Sequence, residues 1–209
     1  MHVDYYFTPV SPWTHLGHAR FVQLLREHAA SVSVLPVDYG QIFPVSGGLP
    51  LPRRAPQRQA YRLAELRRFA EHLDMPLKVQ PKFFPVSADP ASKLIVAADQ
   101  AQGAMAALDL AGRCGRAVWE QERDLADADT LAALLVEAGL PAALLEAAAQ
   151  PPAAQAYAGN TRRAIDAGVF GAPSYVIDGE IFWGQDRLDF VGRRLSGPAP
   201  RPIGGAEGA

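Results

Sequence analysis

Three short runs of this sequence carry residues whose types and spacing can do chemistry. The first is Ser11-Pro12-Trp13-Thr14, placed between the apolar run His2-Val-Asp-Tyr-Tyr-Phe7 and an amphipathic stretch. A hydroxyl at the start of a helix stands among backbone N–H groups without helical partners, and the helix dipole there favours an anion. A serine is a poor nucleophile without a base. His15 and His18 lie along the same helix, and no G-x-S-x-G elbow surrounds the serine, so a hydrolytic pair is not supported. What Ser11 can do is donate a hydrogen bond to an incoming thiolate and so lower that thiol's pKa. It can equally do no more than cap the helix.

The second run is Val169-Phe-Gly-Ala-Pro-Ser174, where an X-Pro bond directly before a strand and hairpin is a candidate cis peptide. The third is Phe182-Trp-Gly-Gln-Asp-Arg-Leu-Asp189. Asp186 reads as the N-cap of a last helix, with Asp189 at N3. Amides at that helix start can hold a carboxylate while the Asp186 side chain pairs with an ammonium group. Trp183 suits either the core or the face of a ligand. Cys114 stands alone in a helical stretch and reads as a buried, inert thiol. Tyr157 and Asn160 read as structural. No His, Cys and Asp grouping has metal-ligand spacing, so no metal is expected.

The elements that must position these runs follow from periodicity. His2–Phe7 reads as a strand, Thr8–Pro12 as a tight loop, and Trp13 to about His28 as a helix that Pro12 opens. Val32–Val37 is a second strand, and the crossover predicts that the two are parallel. Tyr39–Pro56, rich in Gly and Pro, is expected to be an irregular excursion near the site. Gln57–Leu73 is helical, Phe83-Phe84-Pro85 a loop, and Asp89 to about Leu145 three or four helices broken at Gly139-Leu-Pro141. A further helix covers Ala153–Ala167. Ser174–Ile177 and Glu180–Trp183 flank Asp178-Gly179, a strong hairpin signal. The order is βαβ, a helical block, then ββα: an α/β, thioredoxin-like sheet split by an inserted all-helical subdomain. Residues 1–80 and 153–196 are expected to form the discontinuous sheet domain, 81–152 the insertion, and 197–209 a loose tail.

Composition bounds the function. The 209 residues are 49% hydrophobic and 20% charged, as in an ordinary globular protein, and the formal net charge of −2 offers no attraction to nucleic acid or anionic lipid. Met1–Tyr6 lacks the cationic start and apolar run of a signal peptide, and no apolar stretch is long enough to span a membrane. One cysteine cannot form an intramolecular disulfide, so a reducing cytoplasm is the expected compartment.

The run Gly168–Asp189 resembles the signature of 2-hydroxychromene-2-carboxylate isomerases, members of the DsbA-like thioredoxin superfamily and relatives of kappa-class glutathione transferases. Tyr6-Phe7 followed by Ser11-Pro12-Trp13 resembles their amino-terminal serine motif, and Phe83-Phe84-Pro85, Ala117–Glu120 and Asp124–Leu140 fit their helical insertion. In thioredoxin folds the first loop holds a C-x-x-C pair, absent here, and a cis-proline lies opposite it, leaving the preceding backbone free to pair with a peptide-like ligand. The resemblance implies glutathione as cofactor, its thiolate against Ser11, its backbone against Ala172 and Pro173, and its γ-glutamyl end near Gln185, Asp186, Arg187 and Leu188. It implies reversible thiolate addition to a ring-opened aromatic 2-oxo acid or a related electrophile, with Trp13, Phe84 and Trp183 beside that substrate, and a homodimer. Conjugation as in the transferases, or binding without catalysis, are the alternatives. One departure stands out. The family's glutathione-contacting asparagine, expected before the Pro56–Tyr61 helix start, is missing from Gly47–Arg54. Arg53, Arg54 and Arg58 can instead supply positive charge for a carboxylate, or form a solvated basic face.

Overall fold

Alternation in the first strand sets the two faces of the sheet. In the computed structural model, which describes residues 1–197, Val3, Tyr5 and Phe7 of β1 (His2–Phe7) enter one core and Tyr6 enters another. β2 (Ser31–Pro36) pairs parallel with β1, with Val3 opposite Val32 and Phe7 opposite Pro36. β3 (Ser174–Ile177) pairs antiparallel with the other edge of β1, and β4 (Glu180–Trp183) completes the order β2-β1-β3-β4. Asp178 and Gly179, at φ 50° and 82°, make the hairpin turn that the Asp-Gly pair predicts.

The crossover between the parallel strands is α1 (Pro12–Glu27). After β2 come α2 (Tyr39–Ser46), a 3-10 turn at Leu51–Arg53 and α3 (Pro56–His72). The helical block is α4 (Asp89–Gln102), α5 (Ala104–Trp119), α6 (Ala128–Glu137) and α7 (Ala143–Ala149). Then α8 (Pro151–Asp166) returns the chain to the sheet, and α9 (Leu188–Ser196) follows the hairpin. One core is continuous from Tyr5, Phe21 and Tyr175 to Leu94, Leu108 and Trp119, so the helical block shares its interior with the sheet. The opposite face holds Tyr6, Leu35, Ile42 and Ala164. No helix among the described residues is long and apolar enough to cross a membrane.

Two expectations are corrected. The stretch Tyr39–Pro56 is not wholly irregular: the Asp38 carboxylate accepts from Gly40 N–H at 2.8 Å, Tyr39, Ile42 and Phe43 recur at helical spacing, and Gly47 at φ 75° ends α2 in the left-handed region. Asp186 does not cap α9. Gly184 turns the chain at φ 107°, Arg187 N–H bonds back to Gly184 C=O at 3.1 Å, and Gln185–Arg187 closes as a 3-10 turn ahead of a helix that starts at Leu188. The tail expected to be loose lies, from residue 198, outside the described residues.

Helix α1 docks on α5 by placing histidines against glycines. A Cβ on Gly115 would lie 2.9 Å from His15 Nδ1, and one on Gly112 3.0 Å from His18 Cδ2. His18 Nε2 lies 2.8 Å from Leu108 C=O, which can only accept, so Nε2 carries the proton and Nδ1 accepts from Tyr5 O–H at 3.3 Å. His15 Nε2 is 3.2 Å from Glu120 Oε1, outside hydrogen-bonding geometry. Burial above all lowers both histidines to about 4, with the charge of Arg116 adding to the effect, so both rings are neutral.

Gly115→Ala should therefore destabilise the protein by about 1–3 kcal/mol through overpacking. Gly159→Ala, on α8 with nothing near its Cβ, should stabilise it by about 0.4–1 kcal/mol; urea unfolding measures both. The histidines predict an acid limb. Unfolding returns each ring to a pKa near 6.5, so the unfolded chain binds more protons between pH 6.5 and 4. Their contribution to stability is complete above pH 6.5 and declines as the pH falls towards 4. In His15→Gln the proton uptake on unfolding, read from the pH slope of stability, should drop by about one.

Candidate active site

Ser11 occupies the N-cap of α1 at φ −78° and ψ 127°, with Pro12 in the first helical position. Its Oγ accepts from Thr14 N–H at 3.2 Å, its N–H donates to Thr8 C=O at 3.1 Å, and its C=O accepts from His15 N–H at 3.0 Å. Capping is thus one of its roles, and it leaves the hydroxyl hydrogen without an acceptor among the described residues. Pro12 has no N–H, and Trp13 N–H likewise has no partner there. The start of α1 therefore keeps two unengaged donors, one O–H and one N–H, at its positive end.

Ser11 lines a cleft of about 440 Å³. Across it runs the segment Phe170–Pro173, whose Ala172–Pro173 bond is cis. Tyr39 O–H and Ser174 O–H both donate to Gly171 C=O at 2.7 Å, which holds this segment in place. Gly184 N–H bonds to Pro173 C=O at 2.9 Å, whereas neither the N–H nor the C=O of Ala172 has a partner among the described residues. Trp183 packs on Gly171, where a Cβ would come within 2.2 Å of its indole nitrogen, and meets Phe170 edge-on at 4.8 Å. With half its surface exposed, Trp183 is a wall of the cleft and not a core residue.

A second cleft of about 640 Å³ shares Trp13, Arg54, Arg58, Arg62, Ala172 and Trp183 with the first, so the two form one groove, which ends at Gln185, Asp186 and Arg187. Among the residues expected at the site, Ser11, Trp13, Arg54, Arg58, Phe84, Ala172, Trp183, Gln185, Asp186 and Arg187 line it. Pro173 is buried behind Ala172. The Leu188 side chain packs into the core, so only its backbone is left for a ligand. Arg53 lies exposed on the 3-10 turn, outside the groove. The Gln185 side chain is buried against Gly17 of α1, with its carbonyl oxygens accepting from Arg20; it anchors the turn and leaves only backbone to the groove.

Arg62, Tyr39 and Phe170 line the groove without having been expected there. For Arg62 a signal existed: Arg54, Arg58 and Arg62 recur every four residues and so share a face. The segment that lacks the family's asparagine, Gly47–Arg54, forms the end of α2 and the 3-10 turn, and Arg54 from it reaches both clefts. Burial and the neighbouring Arg58 lower the Arg54 pKa.

The chain as a whole is similar to proteins of known name. The chain is 28% identical over 191 residues to a 2-hydroxychromene-2-carboxylate isomerase of Sphingobium xenophagum, covering 90% of this chain and 95% of that one. It is 24% identical over 213 residues to glutathione S-transferase kappa 1 of Caenorhabditis elegans, covering 96% and 93%. A solved 2-hydroxychromene-2-carboxylate isomerase superposes with a TM-score of 0.78 at 24% identity, over 94% of this chain and 95% of that one, a likeness of fold. The family model of the DSBA-like thioredoxin domain matches residues 2–196, all four strands and the helical block included. That match spans nearly the whole of the described chain, and the chain belongs to the DSBA-like thioredoxin family.

Proposed function

We propose that this protein is a glutathione-dependent isomerase acting on 2-hydroxychromene-2-carboxylate or a related aromatic acid in a reducing cytoplasm. The observation that carries the reading is the Ser11 hydroxyl: it accepts from Thr14, keeps its hydrogen free, and lines the same cleft as the unpaired Ala172 backbone. The similarity to proteins named as isomerases of this type and as a kappa glutathione transferase supports it.

The residues fit a tripeptide thiol. Ala172 offers one N–H and one C=O, the pairing set of an added strand. Asp186 and Arg187, exposed at the far end of the groove, suit an ammonium and a carboxylate. Glutathione supplies a thiol whose reversible addition to a conjugated acid lets a double bond rotate as a single bond, with no net redox change. Ser11 O–H and Trp13 N–H stabilise negative charge at the helix start, where the dipole adds to them. Ser11 is not a base, because a neutral hydroxyl is far too weakly basic to take a proton from a thiol. The aromatic walls Trp13, Phe84 and Trp183 orient a flat substrate and exclude water around the reacting atoms.

Ser11→Ala should raise the pKa of the bound thiol by about one to two units, the worth of one hydrogen bond to a charged group. Turnover should fall about 10–100-fold while glutathione affinity stays within a few-fold. Thiolate absorbance of the complex against pH, with calorimetry, measures this; a variant with wild-type turnover removes Ser11 from the chemistry. The kappa relative makes conjugation the second reading. Incubated with glutathione and an aryl halide, the isomerase should leave the thiol concentration unchanged, and stoichiometric thiol loss would identify a transferase.

A further inference from the structure

The approach to α3 breaks the ordinary rules for a helix start. Its cap position is Ala55, which makes no side-chain cap bond, and its first turn holds no acid. Arg58 instead sits in that turn, Arg54 four residues before it and Arg62 four after. Cations at the positive end oppose the dipole, and like charges four residues apart repel. None of the three has a carboxylate within 4 Å among the described residues. The acids nearby are engaged elsewhere: Glu65 pairs with Arg68 at 2.5 Å, and Asp186 faces Arg187 at 3.5 Å.

Arg62 is the most enclosed of the three. Its guanidinium carbon lies 5.3 Å from the centre of the Phe84 ring and 5.8 Å from that of Trp119. Burial and the charge of Arg54 lower its pKa to about 10, so it remains a cation at neutral pH. A partly buried cation without a partner is unfavourable until an anion reaches it, and such local conflicts concentrate at functional sites. All three arginines line both clefts, beside Ser11 and Phe84.

We propose that Arg62, supported by Arg54 and Arg58, is the specificity-determining residue that binds the carboxylate of an aromatic acid substrate. The inference rests on the proposed function only for calling that acid a substrate; binding of the acid needs no glutathione. A planar guanidinium held by aromatic rings matches a carboxylate with two parallel donors, which an ammonium cannot do.

The test is calorimetric titration of the whole protein, without glutathione, with cinnamate and with its uncharged amide. Cinnamate should bind roughly 10–100-fold more tightly, the range expected of hydrogen bonds to a charged group. Arg62→Gln should abolish that preference, Arg62→Lys should keep part of it, and Arg58→Gln, at an exposed position, should weaken it without disturbing the fold. Equal affinity for acid and amide overturns the proposal, as does a folded Arg62→Gln that keeps the preference. Loss of glutathione affinity in Arg62→Gln with cinnamate unaffected also overturns it, since the arginine would then serve the tripeptide's glycyl carboxylate. Selectivity for cinnamate in a protein that does not acidify glutathione would uphold this inference and remove the isomerase reading.

Discussion

Helix α1 approaches its neighbours so closely that side chains as small as a methyl would collide at the contacts. At Gly17 a Cβ would come 2.8 Å from Gln185 Cβ, and at Gly115 of α5 one would come 2.9 Å from His15. A protein interior transmits such contacts because it is packed without slack. The helix is thereby fixed on two sides, by α5 and by the 185–187 turn, and its first residue inherits that rigidity. Ser11 can hold an anion at a hydrogen-bonding distance only if the helix carrying it does not move relative to the Ala172 segment. That segment is tied by Tyr39 and Ser174 through one carbonyl, Gly171. The arrangement is of preorganised donors, which need no rearrangement when charge arrives.

Cations outnumber anions around the groove. The chain as a whole carries a formal −2, yet its groove collects Arg54, Arg58, Arg62 and Arg187 against Glu65 and Asp186. The histidines nearest Ser11 add nothing to this field, because burial keeps both neutral at physiological pH. Attraction for an anion therefore comes from the helix start and the arginines alone. His15 and His18 serve packing: they fill the space that the α5 glycines leave open, and His18 ties Tyr5 of the sheet to Leu108 of the helical block.

The parts of this structure written in local chemistry were legible in the sequence. The strand alternation at His2–Phe7, the proline that opens α1 and the Asp-Gly turn each act through the residues themselves, and the corresponding elements stand within about a residue of expectation. What was misread depends on contacts between distant segments. α2 was hidden by its glycines and prolines, although Asp38 and the spacing of Tyr39, Ile42 and Phe43 encoded it. Asp186 has the right residue type for a cap, but the backbone at Gly184 tightens the turn and displaces the helix start. The burial of the Gln185 side chain rests on Gly17 and Arg20 of α1, and neither contact is local to residue 185. Arg62 lies off the apolar face of α3, and that polar face is the one the groove uses.

Sulfur chemistry in this chain has to come from outside it. Cys114 is fully buried, and burial pushes its thiol up to about 12, so it offers no thiolate at neutral pH. The position at the start of α1, where a cysteine would be acidified by the same donors, carries an oxygen instead. An oxygen there cannot enter a disulfide, so cycling between dithiol and disulfide is closed to this protein. The donors and the dipole remain, and they act on whatever anion the groove admits. Replacing sulfur by oxygen thus keeps the electrostatic half of the site and discards the redox half. A site of that kind holds an anion by hydrogen bonds and dipole alone, and leaves the oxidation state of what it binds unchanged.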